Sequence, residues 1–187
     1  MMVWMTTASR STLFVLIGGR PGSGKSTLAV ALAAELRLPL LAKDEIKEAL
    51  MDALGAPPTV AESQQLGRAA VLAMLRVARG CPGAVLDSTW FGYTEPFVRE
   101  LPGQLVEVRC DVPPWLARQR YHARMAERHR GHLDRQRTEQ ELWEASSEPL
   151  GVGPLITVDT SGPVDMAALA SAIAAVTSRR QDRDDGR

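Results

Sequence analysis

The sequence predicts an α/β fold built on a five-stranded parallel sheet, and three observations predict it. Short apolar runs alternate with longer amphipathic stretches along most of the chain, and strands joined by connections of that length cross over and pair in parallel. A glycine-rich loop stands between the first apolar run and the first helical stretch. At 187 residues the chain is long enough for one sizeable core and short for two.

Each element can be justified in turn. Thr12 to Gly18 (TLFVLIG) is a continuous apolar run, the pattern of a strand buried on both faces. Lys25 to Arg37 places Leu28, Leu32 and Leu36 on one helical face. Leu38 to Ala42 is a short second strand, and a helix with an acidic start follows from Asp44 to Leu54. The stretch GAPPTV (Gly55 to Val60) breaks the chain before a long helix from Ala61 to Arg79. Ala84 to Ser88 and Leu105 to Cys110 are the third and fourth strands. A strongly basic helix is expected from Pro113 to about Arg130, a fifth strand from Leu155 to Thr160, and an Ala-rich closing helix from Val164 to Val176. Residues 1–11 are expected to be a flexible leader, 12–177 one domain with a lid at about 115–145, and 178–187 a disordered tail.

Composition narrows the function. Aromatic residues make up only 5% of the chain, so the core must come from Ala, Leu and Val. A formal net charge of +0 argues against a dedicated non-specific binder of nucleic acid or membrane surface. The run from Leu13 to Ile17 is too short to span a membrane and no small-residue cleavage site follows it, so a cytoplasmic protein is expected. Cys81 and Cys110 have no metal-ligand spacing.

The loop carries the strongest signal. Gly19 to Ser26 matches G-x-x-x-x-G-K-[ST], with an apolar strand before it and an amphipathic helix after it. Gly19, Gly22 and Gly24 allow a tight turn that points backbone N–H groups inward. The helix opening near Lys25 adds the positive end of its dipole. Lys25 can reach the β- and γ-phosphates of a nucleoside triphosphate, and the Ser26 hydroxyl can ligate Mg²⁺. The expected phosphate-binding set is therefore Gly19, Gly22, Ser23, Gly24, Lys25, Ser26 and Thr27.

Transfer is favoured over hydrolysis. The third strand ends Asp87-Ser88-Thr89 rather than Asp-Glu, and no Asn-Lys-x-Asp guanine motif occurs. Asp44, at the end of the second strand, can accept a proton from a substrate hydroxyl; capping the following helix is the competing role. Glu45 and Glu48 are expected on the solvated face of that helix. From Trp115 to Arg137 there are seven Arg against Glu127 and Asp134, together with all three His of the chain. Such a local excess of positive charge in a neutral chain fits a triphosphate partner. Arg120 and Arg124 stand four apart and share a helix face. His122, His129 and His132 fit no tight zinc spacing.

The segments GGRPGSGKST, AKDEIKEAL, VLDSTW and CDVPPWLARQRYHAR together resemble the P-loop kinases of the polynucleotide-kinase type, to which zeta toxins, chloramphenicol phosphotransferase and gluconate kinase are similar. The resemblance runs from about Thr12 to Arg124. It implies a three-layer P-loop NTPase fold with a five-stranded parallel sheet in the order 2-3-1-4-5, helices on both faces and an Arg-rich lid. It also implies ATP and Mg²⁺, with Lys25 and Ser26 on phosphate and metal, Asp44 activating the acceptor, and Asp87 near the metal waters or the acceptor. Arg124 would be the essential lid arginine with Arg120 one turn before it. Val158 to Asp165, with Gly162, would wall the adenine. Lys47 stands where such polynucleotide kinases carry an arginine for the substrate phosphate, and a lysine lacks the bidentate fork.

The acceptor is less defined. Trp90, Phe91 and Tyr93 could stack a base or a sugar face, or could fill the core beneath the next helix. With Lys47 and Asp87, Trp90 and Tyr93 complete the expected acceptor side. Three readings follow: a kinase for a small-molecule hydroxyl (antibiotic, sugar or nucleoside type), a 5′-hydroxyl polynucleotide kinase, or an ATP-binding regulatory NTPase. Neutral net charge favours the first, and no membrane partner is expected. The sequence leaves the oligomeric state open.

Overall fold

The computed structural model describes residues 12–125, 129, 131–133, 143 and 148–184. Strand β1 (Leu13–Gly19) runs through the middle of the sheet, hydrogen-bonded in parallel to β3 (Gly83–Asp87) on one side and β4 (Gln104–Asp111) on the other. Strand β2 (Leu40–Ala42) pairs with β3, and β5 (Leu155–Asp159) pairs with β4, which gives the order β2-β3-β1-β4-β5. This is the expected order. Strand β2 is shorter than the run from Leu38 because Pro39 has no N–H to donate; its carbonyl instead accepts from Val85 N–H.

Side-chain alternation along β1 makes two cores. Phe14 and Leu16 pack on one face with Val71, Met74 and Leu75 of α3 (Val60–Ala78) and with Val98 of α4 (Glu95–Arg99). Val15 and Ile17 pack on the other with Leu28 and Leu32 of α1 (Lys25–Leu36) and with Leu169 and Ile173 of α6 (Met166–Asp184). All four β1 residues are at most 1% exposed, so β1 is buried from both sides and reads as a continuous apolar run. Two helical layers thus enclose the sheet.

Helix α2 (Lys43–Leu54) follows β2 directly and packs against α3, while α5 (Pro114–Arg124) follows β4. Because every strand points the same way, Gly19, Ala42, Asp87, Asp111 and Asp159 end at one edge of the sheet, the edge at which α/β sheets bind ligands. The closing helix runs to Asp184, past the end expected at Val176 and into the expected tail. Its extension contains neither Gly nor Pro to stop it. The expected basic helix to Arg130 is described only as far as Arg124; Glu127, Arg128, Arg130, Asp134, Arg135 and Arg137 lie outside the described residues, as does the leader. Among the described residues, no helix is long and apolar enough to cross a membrane.

Candidate nucleotide and phosphoryl-transfer site

The glycine-rich turn closes between β1 and α1 and is braced from two sides. Ser23 N–H donates to Arg20 O at 3.1 Å, and Lys25 Nζ reaches back to the same carbonyl at 2.8 Å. Gly22 has φ +73°, and a Cβ there would meet Ala117 O of α5 at 2.1 Å, so only glycine lets the turn lie against that helix. Gly24, in the left-handed region, is the N-cap of α1. Ser23 is 1% exposed, and its carbonyl accepts the Thr160 hydroxyl at 2.6 Å.

Thr160, expected only as part of the wall from Val158 to Asp165, makes contacts that the sequence reading missed. It follows β5, is itself buried, and its hydroxyl also lies 3.2 Å from Asp111 O. One hydroxyl therefore links the loops after β1, β4 and β5. No spacing announces a contact between residues 137 positions apart; the one signal is a polar residue closing an apolar strand.

A cleft of about 470 Å³ opens beside this knot, within the size range of small-molecule sites. Gly22, Gly24 and Thr27 line it together with Arg120, Arg124, Thr160 and Gly162. Leu28, Ala31, Pro163, Val164 and Met166 make an apolar wall suited to a flat ring. Of the two arginines, Arg120 is held: its guanidinium donates to Thr160 O and Ser161 O, each at 2.8 Å. In this structure that fork fastens α5 to the β5–α6 loop rather than reaching over a phosphoryl group. Arg124, one turn on, is exposed and close enough to Lys25 to act on its charge.

Burial is the main influence on Lys25 and pulls its pKa below the ordinary lysine value. Asp87, then Cys110 and Asp44, act the other way, and Arg124 lowers it further. Asp87 is raised above the usual carboxylate value, first by burial, against a hydrogen bond from Ser26 and the charge of Lys25. Cys110, beneath the loop, has its thiol pushed up to about 12 by burial and is inert as a nucleophile.

Ser26 hydroxyl and Asp87 carboxylate are thus joined at the mouth of the loop, a hard-oxygen pair of the kind Mg²⁺ takes. Among the described residues no group of three or more His, Cys, Asp and Glu side chains is placed to hold a metal ion. A cation at Ser26 and Asp87 would therefore draw its other ligands from phosphate and water. The pair fits that arrangement.

The acceptor side differs from expectation at several positions. Asp44 is not the cap of α2: the helix starts at Lys43, its N-cap is Ala42 with no side-chain cap bond, and Asp44 lies in the first turn. Its carboxylate is half exposed and 2.8 Å from Lys43 Nζ. Trp90 is 6% exposed and its Nε1 donates to Ile17 O at 2.9 Å, so it belongs to the core beneath β1 and offers no open stacking face. A ring that large beside Gly18 fills the space under the loop. Lys47 is 6% exposed and donates to Ser63 Oγ on α3 at 2.8 Å, which locks α2 to α3. Tyr93 stays exposed, stacked on Phe91 with Arg68 over its ring at 5.5 Å. Glu48 is not on a solvated face: its carboxylate meets His132 Nε2 at 2.7 Å.

With this geometry in view, comparison with known proteins is informative. The model of the AAA domain family matches residues 14–145. The chain belongs to that family. The match covers the phosphate loop, Asp44, Asp87 and the arginines of α5, so the AAA domain contains most of the site; Thr160 and Gly162 lie beyond it. An uncharacterized protein of Mycobacterium tuberculosis is 33% identical over 115 residues, covering 52% of this chain and 22% of that protein. The chain thus spans about a fifth of the length of the curated relatives it matches. Among solved structures, a Chloroflexus aurantiacus protein described as a candidate kinase superposes with a TM-score of 0.79 at 29% identity, covering 89% of this chain and 99% of the other. A gluconokinase from Sinorhizobium meliloti gives a TM-score of 0.58 at 21% identity, covering 93% and 96%. In fold this AAA domain is similar to both of those kinases.

Proposed function

We propose that this chain is an ATP-dependent kinase that transfers the γ-phosphoryl group to a hydroxyl of a small molecule of the antibiotic, sugar or nucleoside type. The observation that carries the reading is the electrostatic company of Lys25. Asp87 and Asp44 act on it as opposite charges and Arg124 as a like one, and Arg124 also lines the cleft beside Gly22 and Gly24 of the loop. In this reading the apolar wall of the cleft takes the adenine and the loop takes the phosphates. Lys25 neutralises the β- and γ-phosphates, and Arg124 faces the transferring group. Asp44 holds the acceptor hydroxyl and takes its proton. Magnesium held by Ser26 and Asp87 would supply the remaining neutralisation between the β- and γ-phosphates.

Support for a small acceptor comes from what the acceptor side lacks and from a relative. Trp90 is committed to the core and Lys47 to Ser63, so neither offers a nucleic acid a stacking platform or a free cation at the surface. Tyr93 with Arg68 over it is the exposed aromatic element near that edge. The gluconokinase of the same fold is named for a small polyhydroxy acid.

A transfer assay with γ-labelled ATP and Mg²⁺ tests the reading, comparing a pool of small hydroxyl compounds with a 5′-hydroxyl oligonucleotide and using Lys25→Ala as the blank. Label in the small-molecule pool is the expected result. Label on the oligonucleotide would make the chain a polynucleotide kinase. Fast phosphate release with no labelled acceptor would make it a hydrolysing regulator.

A further inference from the structure

Glu107 stands in the middle of β4 with 6% of its surface exposed, and the chemistry proposed above gives it no task. Val106, Val108 and Cys110 of the same strand pack with α1 and α6, so Glu107 turns to the opposite face with Leu105. A carboxylate buried there needs donors, and it finds them in the turn that leads into β5. Leu150 N–H donates to Glu107 Oε2 at 2.7 Å, and Val152 N–H donates to Oε1 at 2.8 Å. The two oxygens thus clasp the backbone groups on either side of Gly151, whose φ is +69°. The backbone of Glu107 joins in, since its N–H donates to Pro154 O at 2.9 Å. Gly153 lies so close to β4 that a Cβ there would collide with the Leu105 carbonyl. One residue therefore holds the turn 150–154 at three points.

Strand β5 needs such a hold. It has five residues, pairs only with β4, and leaves Leu155, Thr157 and Asp159 exposed. Ile156 and Val158 are its contribution to the core. A slip of one residue would turn both of them outward, yet two half-buried side chains are a weak defence against it. The register is instead fixed at the ends. Leu155 is the register partner of Glu107, and Asp159 that of Asp111. The next residue, Thr160, donates its N–H to Asp111 O at 3.0 Å and its hydroxyl to Ser23 O. Thr160, Gly162, Pro163 and Val164 then line the cleft. An unbroken parallel ladder joins the pinned turn to that wall.

We propose that Glu107 is a positioning residue for nucleotide binding: it pins the start of β5 and so sets where Thr160 and the wall beyond it meet the phosphate loop. It acts through the strand and touches neither phosphate nor base. The proposal rests on the cleft being the nucleotide site and holds whichever acceptor is used.

Titration calorimetry with the non-hydrolysable analogue AMPPNP and Mg²⁺, together with hydrogen–deuterium exchange, tests it on the full chain. Three variants are compared with the parent. Glu107→Gln keeps the size of the side chain but sets an NH₂ group against one of the two donors. Gly151→Ala leaves the carboxylate in place and disfavours the left-handed backbone that aims both N–H groups at it. Met74→Ala weakens the same core from the α3 side. In Glu107→Gln the AMPPNP Kd rises by roughly fivefold or more, the lower end of ordinary coupling between sites. Gly151→Ala follows in the same direction, and Met74→Ala stays close to the parent. Exchange in Glu107→Gln quickens from the turn through β5 to Thr160, while α1 keeps its parent rate. Three results would overturn the proposal: AMPPNP affinity unchanged in Glu107→Gln or in Gly151→Ala, an equal loss of affinity in Met74→Ala, or faster exchange confined to the turn and absent at Thr160. A parent chain that binds no AMPPNP would overturn the nucleotide reading, and the proposal with it. That outcome is recognised before any variant is compared.

Discussion

Asp87 ends β3 with 7% of its surface exposed, where water solvates a carboxylate poorly. Its pKa is raised above the ordinary value of 3.8, chiefly by burial, so between 3.8 and that raised value the folded chain holds more proton than the unfolded one. Stability contributed by this group is complete below pH 3.8 and is lost as pH rises through the raised value. Above that raised value the ionised carboxylate is a net cost, softened by Ser26 and Lys25. Asp87→Asn should raise the Tm in buffers above it. Scanning calorimetry should see the gain vanish as the buffer approaches pH 3.8, and magnesium-dependent transfer should be largely lost. Asp44 offers the contrasting case, since it is half exposed and caps nothing. Asp44→Asn is expected to lower transfer by about 10²–10⁴-fold while nucleotide affinity, measured by titration calorimetry, stays nearly unchanged. Transfer surviving that change would leave Asp44 without a chemical role.

Helix α5 carries two arginines one turn apart with different tasks. Arg120 is spent on the carbonyls of Thr160 and Ser161, while Arg124 lines the cleft and is near enough to Lys25 to act on its charge. Arg120→Ala should weaken nucleotide binding by loosening the wall of the cleft, with the transfer rate at saturating ATP changed much less. Arg124→Ala should do the reverse, reducing the rate by roughly 10³–10⁵-fold with a modest change in nucleotide Kd. Rate and Kd measured on both variants separate the two. The sequence revealed both arginines and their shared face, because a spacing of four is a local property of a helix. It could not reveal that one guanidinium is already bonded, because the bonded carbonyls lie 40 and 41 positions further along the chain. The same limit explains Trp90, Lys47 and His132: residue type told what each could do, and only packing decided the direction it turned. The glycine-rich turn between β1 and α1 was legible because its backbone needs glycine at the positive φ of Gly22 and Gly24. Strands β1 and β3 were legible because burial on both faces leaves an apolar run, and β4 through the alternation of Val106, Val108 and Cys110 with Glu107 and Arg109. The extent of α6 was misjudged because its last turns carry charge rather than a stop signal.

At the scale of the molecule, the sheet separates two cores that do unequal work for the site. The face holding α1 and α6 sits directly under the nucleotide cleft, and Ile173 is 1% exposed within it. Ile173→Ala should cost about 2–5 kcal/mol in unfolding free energy. Because α6 follows the loop that bears Thr160 and Gly162, nucleotide affinity should fall as well. Met74→Ala, buried on the opposite face, should cost a similar amount in denaturant titrations while leaving nucleotide affinity close to the parent value. Strand β5 is the edge on this side: it pairs only with β4, and Leu155 is 47% exposed. Its loop is tied to the phosphate loop by the single hydroxyl of Thr160. In the proposed reading, ATP spans the same two loops and adds a second, reversible stitch across them. At a hundred times its Kd a ligand contributes about 2.7 kcal/mol to the folded state, and here that support falls on an edge strand. Resistance to proteolysis would then rise with the ATP concentration around the molecule, and cleavage would begin at this edge.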